Sequence, residues 1–161
     1  MSISSSSLIT YENIYTQSHA NLFNLINTRT NVPLPSGLPS NHKFVYVREP
    51  KQLGRDFNGY PVIIIPSFSV DQTNKSLDAS SSDLIFDISI RVWTQDKDSD
   101  SSGNPAGTEQ LNSISDSILK TINANRVTLR SLGMANFKLE DSDIDYSEVN
   151  GKIVYVREFV L

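Results

Sequence analysis

The spacing of apolar and polar positions divides the chain into helix-like and strand-like blocks. Between Leu8 and Asn27 the residues Ile14, Tyr15, Leu22, Leu25 and Ile26 recur at spacings that place them on one helical stripe. Glu12, Asn13, Gln17, His19 and Asn21 fall mostly elsewhere, and Ser6 or Ser7 is placed to satisfy the free N–H groups at the helix start. Thr28 to Asn41 carries Pro33, Pro35, Gly37 and Pro39, which withhold N–H donors and favour an extended connector. His42 to Arg48 and Tyr60 to Val70 then read as strands, rich in β-branched and aromatic residues and bounded by Pro50, Gly54 and Gly59. The run Val62-Ile63-Ile64-Ile65 predicts a strand covered on both faces.

Leu84, Phe86, Ile88, Ile90 and Val92 alternate with Ile85, Asp87, Ser89, Arg91 and Trp93, which predicts a strand with one wholly apolar face. After an acidic, Ser/Gly-rich segment from Gln95 to Gly107, Leu111, Ile114, Ile118, Leu119 and Ile122 share a second helical stripe. Thr108 and Glu109 suit its first turn, by side-chain capping and by attraction of a carboxylate to the positive end of the helix dipole. Val127 to Leu132 and Phe137 to Leu139 read as short strands around Gly133, and Lys152 to Leu161 as the terminal strand. This order predicts a two-layer α+β fold: a mixed or mainly antiparallel sheet packed against two α-helices, with long loops. Residues 1–161 read as one domain with a flexible N-terminus over about residues 1–7.

The sequence echoes itself once. Lys43-Phe-Val-Tyr-Val-Arg-Glu49 and Lys152-Ile-Val-Tyr-Val-Arg-Glu158 differ only at their second position. One short, widely separated pair lacks the fixed period of a solenoid. It reads as two strands given like chemistry by like surroundings, with a shared role at a repeated subunit contact as the other possibility.

Composition narrows the function classes. The chain has no cysteine, which excludes disulfides, thiolate nucleophiles and Cys-type zinc sites. Its 18 acidic against 14 basic residues give a net charge of −4, a poor basis for capturing DNA or RNA through phosphates. No basic n-region with an apolar core opens the chain, whose Ser run reads as a frayed or capping terminus, and no stretch reaches the roughly 18 apolar residues of a membrane span. The expectation is a protein cytosolic when made.

Candidate chemistry is sparse. His19 and His42 lack metal-binding spacing and are expected at the surface. Nucleophile-elbow, Walker-type and dinucleotide-binding motifs are absent from the sequence. Asp96, Asp98 and Asp100, followed by Gly103 and Asn104, alternate carboxylates as a calcium loop does. However, the glycine falls late, Gly107 stands where a closing glutamate belongs, and a strand rather than a helix precedes. The segment therefore reads as a solvated loop. The run Glu140, Asp141, Asp143 and Asp145, with Glu148, is expected to expose carboxylates on one face of an edge strand, blocking unwanted pairing or meeting a basic partner rather than performing two-carboxylate hydrolysis. Lys43, Arg48, Lys51 and Arg55 cluster near the first strand. Trp93 is expected either beneath the second helix or at a subunit contact. No catalytic, cofactor-binding or metal residue is assigned.

The order of elements is similar to that of the tail terminator and tail-completion proteins of long-tailed phages and related viruses. The likeness is carried by the N-terminal helix from Leu8 to Asn27, the Pro33-Leu-Pro35 extension, and the strands at Phe44 to Arg48 and Val62 to Val70. It continues through Asp83-Leu-Ile-Phe-Asp-Ile-Ser-Ile-Arg-Val-Trp-Thr-Gln-Asp96, the helix around Leu111-Asn-Ser-Ile-Ser-Asp-Ser-Ile-Leu119 and the C-terminal strand. The resemblance spans nearly the whole chain as pattern and length rather than as a diagnostic motif. It implies a non-enzymatic virion protein, assembled in the host cytoplasm, that forms a homo-oligomeric ring, commonly a hexamer. The ring caps the tail tube and meets the head-side connector, DNA passing through its lumen without specific binding. Alternatives are another neck or head-closure protein, which would bind the portal-side adaptor, and a monomeric ligand- or calcium-binding module.

Overall fold

The computed structural model describes residues 7–9, 12–66, 70–74, 82–96, 106–134, 140–141 and 143–161. The chain runs α1 (Ile14–Asn27), β1 (Val45–Tyr46), α2 (Pro50–Leu53), a 3₁₀ turn (Gly54–Asp56), β2 (Val62–Ile64), β3 (Val70–Asn74), β4 (Ser82–Phe86) and β5 (Ser89–Gln95). It continues through α3 (Ala106–Ala124), α4 (Arg126–Ser131), β6 (Glu140–Asp141), β7 (Asp145–Val149) and β8 (Lys152–Val160). Six strands form one mixed sheet in the order β1-β2-β5-β8, with β6 and β7 both pairing the far side of β8. β1 runs parallel to β2, and the remaining pairs are antiparallel. The fold is α+β, with α1 and α3 on one face of the sheet.

Why the helices lie there follows from what they bury. Leu22, Phe23 and Ile26 of α1 and Leu111, Ile114, Ile118 and Ile122 of α3 join Ile63, Ile65, Ile88, Ile90, Val92 and Phe159 in the main core. Removing these side chains from water supplies the principal driving force, at roughly 25 cal/mol per Å². The opposite face carries a smaller cluster of Tyr46, Val62 and Ile64, packed against Leu53, Phe57, Tyr60 and Trp93. Residues 62–65 are fully buried, as their continuous apolar run predicts. The second cover comes from α2 and the turn after it, short elements not foreseen from periodicity.

Several expectations require correction. The first helix begins at Ile14, not near Leu8, and Asn13 precedes it without a side-chain cap bond. Ser7 does not cap it; its backbone N–H donates to Asn21 Oδ1 at 3.0 Å and its carbonyl accepts from Asn21 Nδ2 at 2.9 Å. Gln17 Nε2 donates to the same Asn21 oxygen. These bonds explain how Gln17 and Asn21 can be buried while Tyr15 faces solvent at 58% exposure, reversing their assigned faces. Ile9 extends the strap by donating its N–H to Leu132 O.

The alternating block from Leu84 to Trp93 is two strands. β4 pairs β3 in a separate two-stranded sheet, while β5 enters the main sheet between β2 and β8. Period two reports exposure, not strand partner, so it runs through the break at Asp87–Ile88 unaltered. The first two predicted strands also shorten, to Val45–Tyr46 and Val62–Ile64, and Val70 begins β3. Residues 127–132 fall largely in α4 rather than a strand: Leu129 is buried while Val127 is 80% exposed. Contact with the core along a single helical side outweighs the β propensity of Val127 and Thr128. The strand expected over Phe137 to Leu139 lies outside the described residues.

Candidate functional site

The two echoed segments enter the same sheet in different roles. β1 is an edge strand and β8 an interior one, and their tyrosines face opposite ways: Tyr46 joins the smaller cluster, whereas Tyr155 packs against the helix-side core. Their final glutamates nevertheless converge. Arg91, at the centre of β5, donates through Nη1 to Glu49 Oε1 at 2.5 Å and through Nε to Glu158 Oε1 at 3.0 Å. The register explains one half of this fork, since Arg91 lies directly opposite Glu158 on β8. Glu49 arrives from the residue before α2, so the guanidinium ties that helix to the second face of the sheet. A planar fork binding two carboxylates suits arginine better than lysine.

This constellation has a pH signature. Burial raises the Glu158 pKa, but hydrogen bonds from Ser89 and Arg91 and the positive charge of Arg91 outweigh it, so the net direction is downward. Burial pushes Arg91 downward, but its hydrogen bonds to Glu49 and Glu158 and the negative charges of both outweigh it, so the net direction is upward. A carboxyl whose folded pKa is depressed contributes stability above its unfolded pKa and loses it as pH falls through the folded value. The melting temperature is therefore expected to drop on acidification below the ordinary glutamate range, and Arg91→Gln to flatten that acid limb. Equal acid slopes in the two proteins, followed by calorimetry, would contradict the assignment.

A second constellation joins the end of β5 to the start of α3. Asp96 Oδ1 accepts from the Gly107 N–H at 3.2 Å, and Asp96 Oδ2 accepts from the Tyr155 hydroxyl at 3.0 Å. Thr94 Oγ1 donates to Gly107 O at 2.7 Å. Asp96 thus supplies, from the end of β5, a partner for a free amide in the first turn of α3. Burial, the bond to Asp96 and its negative charge raise the Tyr155 pKa, in that order. Asp96, the first carboxylate of the calcium-like run, is therefore engaged through both oxygens in joining the end of β5 to α3 and β8. Asp98, Asp100, Gly103 and Asn104 lie outside the described residues. Among the described residues no three His, Asp or Glu side chains converge as metal ligands.

The other candidates separate. His42 is buried, not superficial: its Nε2 lies 3.3 Å from Pro61 O, and its own carbonyl accepts from Arg29 Nη2. His19 is half-buried, with Nε2 2.7 Å from Ile65 O and its ring stacked on Phe23. In each contact only the ring N–H can donate, because the carbonyl is an acceptor. Trp93 does not lie beneath α3; it packs in the smaller cluster on the opposite face, with its buried Nε1 lacking a hydrogen-bond partner. Its side follows from register, since Trp93 falls between Val92 and Thr94 on the helix-facing side.

Charge is segregated between the two edges of the sheet. At the β1 edge, Lys43 and Arg48 are exposed, with Lys43 Nζ 4.6 Å from the Tyr46 ring centroid, and Lys51 and Arg55, in α2 and the turn that cover the second face, are exposed next to them together with Asp56. At the far edge all five side chains of β7 are exposed, including Asp145 and Glu148. Glu140 at the start of β6 is exposed as well. The acidic run lies on an edge but not on one face of one strand: it is divided between β6 and β7, and Asp145 and Glu148, three residues apart, project from opposite faces. Its hairpin connection to β8 was legible in Asn150-Gly151, a missed signal: both residues take positive φ, as a two-residue primed turn requires.

The fold and these sites define a small α+β protein with a mixed sheet, two structural polar clusters and oppositely charged sheet edges. No family model matches the chain, and none of the curated proteins matches its sequence.

Proposed function

We propose that this chain is a structural virion protein that assembles into a ring at the head-proximal end of a tail tube, ending tail growth and joining tail to head. The reading begins with the resemblance to tail terminators. The observation that supports it most is the segregation of charge to opposite edges of one sheet. A ring requires a heterologous contact in which each subunit offers two different, complementary patches. The β1 edge and the β7 edge differ in charge in that manner. The ionisable groups within the fold, by contrast, are committed to holding elements together: Arg91 to α2 and β8, Asp96 to α3 and β8. In this reading the protein acts by assembly and not by turnover.

The test combines mass in solution with binding. Light scattering across a protein-concentration series, with negative-stain imaging, is expected to show closed oligomers that bind the ends of tail-tube protein. Binding to the portal-side adaptor with none to the tube would move the assignment to a head-closure protein. Binding to neither would reject the tail-junction reading.

A further inference from the structure

We infer that the acidic β7–β8 hairpin of one copy docks on the basic rim formed by β1 and α2 of a second copy. The inference rests on the self-assembling reading above and names the surface that accomplishes it. It starts from a strand that the monomer leaves uncovered. β7 is exposed at all five positions, with Tyr146 at 77%, Val149 at 38% and neighbouring Ile153 on β8 at 39% exposure. Such a strand contributes little to the core of its own chain, yet it presents Tyr146 with Glu148 and Ile153 on one face and Asp145 with Val149 on the other, with Lys152 opposite Val149. Tyrosine is enriched among the residues that anchor protein interfaces, where its ring gives area at low entropic cost.

The choice of a second copy as occupant follows from charge and topology. The complementary surface is on this same chain, at Arg48, Lys51 and Arg55. β1 and β7 lie at opposite ends of the strand order, separated by β2, β5 and β8. Among the described residues no ion pair joins Arg48, Lys51 or Arg55 to the hairpin within one molecule. Between two molecules, the hairpin and the rim meet directly, and repetition of the contact is head-to-tail.

The test uses two charge-reversed full-length proteins, Asp145→Lys/Glu148→Lys and Lys51→Glu/Arg55→Glu, with Tyr146→Ala as a variant of unchanged charge. All substituted positions are exposed, and circular dichroism melts establish that each protein keeps its fold. Masses are measured by light scattering against concentration at low and at moderate salt. Wild-type protein is expected to associate more strongly at low salt, and each reversed protein to need at least about tenfold higher concentration, since like charges then face each other. Mixing the two reversed proteins is expected to restore association, because each then offers what the other lacks. Tyr146→Ala is expected to weaken association without changing its salt dependence.

Association of either reversed protein at wild-type concentrations, or no rescue on mixing, would overturn the surface while leaving a ring built through another face. A wild-type protein that stays monomeric at low salt up to the highest soluble concentration would overturn the inference itself. An oligomer that responds as expected but binds neither tail-tube protein nor the portal-side adaptor would leave this contact standing and reject the tail-junction reading.

Discussion

Phe159→Ala is expected to lower folding stability by about 3–5 kcal/mol, the usual range for deleting a fully buried phenylalanine. Phe159 is 0% exposed, stands opposite Ile90 on β5 and Asp141 on β6, and belongs to the main core with Leu111, Ile114 and Ile118. Its removal takes an aromatic ring from the layer between the sheet and the helices, and close packing lets that layer collapse only in part. For a domain of this size the melting temperature should fall by about 6–20 °C. Tyr146→Ala, on the adjacent edge strand, should alter the monomer's melting temperature little, because that side chain lies in solvent. Chemical denaturation of both proteins with a common m-value would check the contrast; a small loss for Phe159→Ala would mean that the β8 end of the core is loosely packed.

Gly107→Ala is expected to destabilise the protein by about 1–3 kcal/mol, the cost of forcing a methyl into a filled site. A Cβ at Gly107 would stand 2.7 Å from Asp96 Oδ1 and 2.9 Å from two ring carbons of Tyr155. The clash therefore falls on the two side chains that join the end of β5 and the first turn of α3 to β8. Alanine is favoured over glycine within helices by about 1 kcal/mol, so a net loss requires the steric cost to exceed that gain. Combining Gly107→Ala with Tyr155→Leu should recover part of the loss, because the smaller side chain vacates the ring position. A double-mutant cycle measures the coupling, and strictly additive effects would show that the methyl finds room elsewhere.

The polar clusters illustrate why some chemistry stayed hidden in the sequence. Arg91 was visible as one polar position in an alternating strand, but nothing local indicates that Glu49 and Glu158 both reach it. The echo Lys43 to Glu49 and Lys152 to Glu158 contained both partners and suggested like surroundings. Pairing instead placed one segment on the rim and the other inside the sheet. Similarly, Asp96 looked like the first ligand of an acidic loop because its neighbours in sequence are acidic. Its partners in space, Gly107 and Tyr155, are 11 and 59 residues away.

By itself, the sequence determined the period of each element and hence its class. The stripe from Leu111 to Ile122 required a helix, the run from Val62 to Ile65 required burial on both faces, and the alternation from Ile88 to Val92 required one apolar face against a core. These are properties of backbone geometry, 3.6 residues per turn against two, and they hold before any partner is chosen. Tertiary structure decided what periodicity does not encode. It divided the Leu84 to Trp93 block between two sheets, buried His42, Gln17 and Asn21 by giving them carbonyl and amide partners, and turned Val127 outward on a helix. It also set the basic and acidic clusters on opposite edges, because strand order depends on long-range pairing whose free energy appears only when distant segments meet.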